Sequence, residues 1–189
     1  MRVEAPSLSD AEIGGIVRRI GRPVVLVGLM GAGKSTVGRK LAALMDVPFI
    51  DADEEIERAA QMSVAEIFER FGEAQFRDGE RRVLARLIGE SSGVIATGGG
   101  AFVDDATRAL ILEKAIAVWI DADIDVLVER TGRRNTRPLL QGGDPKEILT
   151  GLLDKREEYY AEAPIRVASD RGPHHATALA ILEAIDRWL

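Results

Sequence analysis

The run Gly28-Leu-Met-Gly-Ala-Gly-Lys34-Ser35 constrains this chain more than any other feature. It follows a continuous apolar stretch, residues 23–27, of the kind buried on both faces in a parallel sheet. It precedes residues 34–45, where Val37, Leu41 and Leu44 recur at helical spacing. Strand, glycine-rich turn and helix in that order make the G-x4-G-K-[ST] phosphate-binding loop. Glycines let the turn wrap closely and aim backbone N–H groups at phosphate oxygens. Lys34 is placed to reach the β- and γ-phosphates, and the Ser35 hydroxyl to ligate Mg²⁺. The helix that starts there adds its positive end. Nucleotide contacts are therefore expected at Gly31, Ala32, Gly33, Lys34, Ser35 and Thr36.

The rest of the chain continues the alternation. Further strands are expected at residues 47–50, 93–96, 115–120 and 165–168. Helices are expected at 63–71 (opened by the capping-box spacing Ser63-Val-Ala-Glu66), 73–91, 104–113, 123–130, 145–160 and 175–189. Trp119 reads as strand core, Trp188 as packing of the terminal helix and His174-His175 as that helix's start. Strands alternating with helices predict an α/β fold with a mainly parallel sheet. Residues 23–189 form one domain. Residues 1–22 are an appendage, a short helix capped by Ser9 whose stripe Ile13, Ile16, Val17 and Ile20 suits packing on the domain's own flank. Residues 131–145 differ in composition, with Arg133, Arg134, Asn135, Arg137 and Gly142-Gly143; they read as a mobile lid with the two glycines as hinges.

Composition narrows the function. A net charge of −6 disfavours nucleic acid and anionic membranes as partners, and 5% aromatics leave little for base stacking. The absence of Cys removes thiolate catalysis and Cys-based metal sites. No stretch approaches the length of a membrane span, and the first residues lack the apolar run of a signal peptide. A cytoplasmic monomer acting on small molecules is expected.

Three features bear on the phosphoryl acceptor. Asp51-Ala-Asp53 follows the second strand, at the carboxyl edge where open α/β sheets bind ligands. On an extended segment its two carboxylates point the same way, one toward Mg²⁺ and one toward an acceptor hydroxyl, although Asp-x-Asp-Glu is also an ordinary helix cap. Thr97-Gly-Gly-Gly100 ends the third strand, where glycines permit close backbone approach to a substrate. Arg77, Arg130, Arg137 and Arg156 recur where anions are expected; two converging would grip a carboxylate, and one in a closing lid would stabilise a transferring phosphoryl group.

Phosphate loop, Asp-x-Asp, Phe76-Arg77, Gly-Gly-Gly and Arg137-Pro-Leu-Leu, in that order, resemble shikimate kinase from about Pro23 to the C-terminus. The resemblance implies a five-stranded parallel sheet of order 2-3-1-4-5 flanked by helices in three layers, with a lid. It implies transfer of the ATP γ-phosphoryl group to the 3-hydroxyl of shikimate, on the way to chorismate and the aromatic amino acids. By motif, Lys34, Asp53 and Arg137 would be catalytic. Asp53, Arg77, Gly98, Gly99, Gly100 and Arg156 would bind shikimate. Ser35 and Asp51 would hold Mg²⁺, Arg130 and Arg171 would flank the adenine, and Glu80 would orient a substrate-binding arginine. Gly79 departs from the family in lying inside a helix, the lid departs in composition, and residues 1–20 have no counterpart in shorter members. Gluconate or nucleoside monophosphate kinases are the nearest rivals, disfavoured by the Gly-Gly-Gly and Arg-Pro-Leu-Leu elements. A GTPase would need an Asn-Lys-x-Asp, which the chain lacks.

Overall fold

The computed structural model describes residues 7–133 and 142–189. Five strands form one parallel sheet: β1 (Val24–Val27), β2 (Phe49–Asp51), β3 (Val94–Ala96), β4 (Ile116–Asp121) and β5 (Ile165–Ala168), ordered β2-β3-β1-β4-β5. β1 lies at the centre, with Val25 in register with Ile95 on one side and Ala117 on the other. Its four residues are fully buried, which is why the apolar run is continuous rather than alternating. The order agrees with the expectation. β2 is displaced from the expected 47–50 because Pro48 has no N–H to give the ladder; the Val47 N–H instead bonds Ala42 O at 3.0 Å.

Helices cover both faces: α1 (Asp10–Arg19), α2 (Lys34–Met45), α3 (Ala52–Ala60), α4 (Val64–Glu90), α5 (Asp105–Lys114), α6 (Ile124–Gly132), α7 (Pro145–Tyr160) and α8 (His174–Trp188). Ser63 caps α4 in a reciprocal capping box with Glu66. The expected break between two helices at residue 72 is a kink inside α4, where Gly72 has φ +80° and ψ 173°. Ser9 and Glu12 make a second capping box at α1, whose Ile13 and Ile16 join the main core against α2 and α8. Trp119 is buried as expected, but Trp188 is 42% exposed and does not pack the terminal helix: it lies one residue from the chain end. Thr131 and Gly132 belong to α6 and Pro145 opens α7, so both ends of the expected 131–145 lid are helical; residues 134–141, including Arg137, lie outside the described residues. Among the described residues no helix is long and apolar enough to cross a membrane.

Candidate active site

Turns at the carboxyl edge of the sheet build two adjoining cavities. Gly33 adopts φ +94° at the N-cap of α2, a left-handed conformation that a Cβ would strain, and this turns the phosphate loop into the helix. Lys34 is almost buried, and its Nζ donates to Gly28 O at 2.7 Å and Leu29 O at 2.9 Å, which fold it back along the loop. Arg130 ties this loop to the segment after β5: Nη1 donates to Ala32 O at 3.0 Å and Ser169 Oγ at 3.1 Å, and Nη2 to Asp170 O.

Asp51 ends β2 and caps α3. Its Oδ1 accepts the Asp53 N–H at 3.0 Å, and its Oδ2 accepts the Ser35 hydroxyl at 2.9 Å. The capping and site readings of Asp-x-Asp thus hold for the same side chain. The extended-segment argument for Asp53 does not: Ala52 already begins α3, so a strand-to-helix turn, not strand alternation, brings both carboxylates to one cavity. Burial raises the Asp53 carboxyl above its usual range, and the Asp51 charge adds to this, while Lys34 and Arg77 pull it back.

The glycine run is anchored from behind. Thr97 Oγ1 donates to Leu26 O at 2.8 Å, and the Tyr160 hydroxyl donates to Gly99 O. In front it lies close against three charged side chains: a Cβ on Gly98 would lie 2.9 Å from Asp53 Oδ1, one on Gly99 3.3 Å from Arg156 Nη1, and one on Gly100 would overlap the Arg77 guanidinium, so a side chain there would have to displace them. Arg77 stacks on Phe76 and donates through Nη1 to Glu80 Oε1 at 2.6 Å. Glu80 is only 1% exposed, and that burial pushes its carboxyl up to about 7 although the Arg77 cation and its hydrogen bond draw it down.

The first cavity, about 300 Å³, is lined by Gly31, Gly33, Lys34, Ser35, Thr36, Asp51 and Arg130 among others. The second, about 280 Å³, is lined by Arg77, Glu80, Gly100 and Arg156, with apolar Val64, Phe68 and Phe76. Met30, Asp53, Gly98 and Gly99 line both, so the two form one cleft with a common wall. The expected residues assemble there with two exceptions among those described. Ala32 lines neither cavity; it is buried, and its carbonyl accepts from Arg130. Arg171 lines neither cavity; it is exposed and paired with Glu129 at 3.1 Å. Arg137 lies outside the described residues.

Sequence reasoning passed over Met30, Arg133, His174 and the apolar lining of the second cavity. His174 had a usable signal: it follows the last strand's carboxyl end, on the edge where every other site segment lies. The apolar lining had none, because Val64 and Phe68 reach the cavity through the fold-back of α4 onto α3.

The family model of shikimate kinase matches residues 30–186. The shikimate kinase of Novosphingobium aromaticivorans is 62% identical over the full length of both chains, so the first 20 residues do have a counterpart there. That of Caulobacter vibrioides is 53% identical over 87% of this chain and 82% of its own. Among solved structures, shikimate kinase from Acinetobacter baumannii in complex with shikimate superposes with a TM-score of 0.84 at 38% identity, covering 88% of this chain and 93% of that one. A gluconokinase from Sinorhizobium meliloti, at 22% identity and a TM-score of 0.58 over 90% of this chain and 98% of its own, shares the fold alone. With motif order, cleft and full-length relatives in agreement, the chain belongs to the shikimate kinase family.

Proposed function

We propose that the cleft transfers the γ-phosphoryl group of ATP to the 3-hydroxyl of shikimate, giving shikimate 3-phosphate and ADP. The observation that carries this reading is the common wall. A nucleotide on the phosphate loop and a small acid held by Arg77 and Arg156 would meet at Asp53, Gly98 and Gly99.

Arg77 and Arg156 grip the shikimate carboxylate, a job suited to guanidinium geometry. Glu80 fixes the Arg77 head. The glycine run lets backbone approach the ring, and Asp53 accepts a hydrogen bond from the reacting hydroxyl. Phosphoryl transfer passes through a loose transition state, so positioning and charge neutralisation matter more than early deprotonation. Asp53 therefore orients the hydroxyl first and takes its proton late, a role served by its raised pKa. Lys34 neutralises the β- and γ-phosphates, and Arg137 is assigned to the transferring group.

Ser35 Oγ and Asp51 Oδ2, two hard oxygens 2.9 Å apart beside the phosphate loop, fit Mg²⁺. Among the described residues no cluster of three or more His, Cys, Asp or Glu could hold a metal, which matches an ion bound by one or two protein oxygens, water and substrate phosphates. Held by Ser35 and Asp51, Mg²⁺ would supply positive charge to offset that of the nucleotide phosphates.

The deciding experiment is ADP release from ATP and Mg²⁺ with shikimate, gluconate, quinate and nucleoside monophosphates as acceptors. Turnover is expected with shikimate alone and is expected to collapse in Arg77→Ala. Turnover with another acceptor, or an unaffected Arg77→Ala, would overturn the acceptor assignment.

A further inference from the structure

Among the described residues only two buried side-chain polar atoms lack a hydrogen-bond partner, Thr107 Oγ1 and His174 Nδ1. Thr107 lies in α5, and its residue lines neither cavity. His174 opens α8 and lines the first cavity. Its ring stands against the phosphate loop: a Cβ on Gly33 would lie 3.4 Å from His174 Cε1 and 3.6 Å from Nδ1. The Arg130 guanidinium closes the same corner, 3.4 Å from that Cβ position. A buried polar atom without a partner is destabilising, and native proteins seldom retain one unless water, an ion or a ligand satisfies it.

The γ-phosphate end of a nucleotide must face the common wall at Asp53, Gly98 and Gly99, where the second cavity begins. Arg130, Arg133 and His174 line the first cavity and not the second, so they belong to the nucleotide half of the cleft. His174 and Arg130 stand beside Gly33, the loop residue that precedes Lys34, so a nucleotide seated on the phosphate loop comes within their reach.

We propose that His174 is a nucleotide-binding residue whose Nδ1–H donates a hydrogen bond to ATP and ADP bound on the phosphate loop. This rests on the nucleotide half of the function proposed above and on nothing in its acceptor half. Burial, with Arg130 and Lys40 as neighbouring cations, lowers the imidazole's pKa, so the ring is neutral and one nitrogen carries the proton. The contact acts on nucleotide affinity and leaves acceptor binding alone.

The test is calorimetric ADP binding to the full chain and to two variants. His174→Ala is expected to raise the Kd for ADP about tenfold, within the range for losing a hydrogen bond to a charged group. His174→Asn places an amide N–H near the position of Nδ1 and is expected to stay within about threefold of the parent. The chain has only two histidines, and His175 is exposed, so the imidazole NMR signals are readily assigned. ADP is expected to move those of His174 and not those of His175. An His174→Ala variant that binds ADP like the parent, an Asn variant that loses as much as Ala, or unmoved His174 signals would each overturn the inference. A parent that fails to bind ADP would overturn it together with the nucleotide reading. Weakened ADP binding in His174→Ala of a protein inactive on shikimate would uphold it while the acceptor assignment fails.

Discussion

Asp53 and Glu80 both sit where desolvation penalises their charge, and both have Arg77 within reach, yet their tasks differ. Asp53 lines both cavities, whereas Glu80 lines only the second and holds Arg77 through a hydrogen bond. Asp53→Asn keeps the shape and removes the proposed proton acceptor. Its kcat is expected to fall about a hundredfold or more, with ADP affinity unchanged by calorimetry. Glu80 has a folded-state pKa raised from 4.5 to about 7, so its contribution to stability is fully present below pH 4.5 and is lost as pH rises through about 7. Thermal melts of the parent and Glu80→Gln across that window are expected to diverge by at most about 3 kcal/mol, the parent losing stability with pH and the variant following a flatter course. Parallel melting curves would remove Glu80 as the titrating group.

Of the three glycines in helix α4, Gly72 and Gly79 are expected to respond oppositely to substitution. Gly72 holds φ +80° at the kink with nothing near its Cβ position, so Gly72→Ala meets backbone strain alone and is expected to lose about 1–3 kcal/mol. Gly79 is in the regular part of the helix with equally open space, and Gly79→Ala is expected to gain about 1 kcal/mol, or about 2–4 °C in Tm. Differential scanning calorimetry of the pair checks both signs. The kink was legible at this scale because the capping signal at Ser63 and the following Gly72 mark a start and a break. Strands β1, β3 and β4 were legible as well, their burial on both faces leaving uninterrupted apolar runs. Their order was not legible from periodicity, which says which residues are buried and not beside which strand; it came with the family resemblance. The site divides along the same line. The phosphate loop is one contiguous segment and could be read residue by residue. The meeting of Gly100 with Arg77, or of Tyr160 with Gly99, depends on segments that only the fold brings together.

For the molecule as a whole, α1 is a clasp on the side away from the chemistry. Ile13 and Ile16 join the core against α2 and α8, and Arg19 pairs with Asp186, twelve residues along α8 from His174 or about 18 Å at 1.5 Å per residue. A chain starting at Gly21 is expected to melt several degrees lower, because two buried isoleucines and their counter-surface are lost, with KM for both substrates unchanged. Altered kinetics in the truncated protein would place α1 within the working parts of the enzyme. The wall shared by the two cavities has a consequence for inhibition. A single molecule that carries a polyphosphate at one end and a carboxylated ring at the other can occupy both halves, its tether crossing the wall that Met30, Asp53, Gly98 and Gly99 share between them. Once its first end docks, the second is held at high local concentration over its own seat, so the two weak grips multiply.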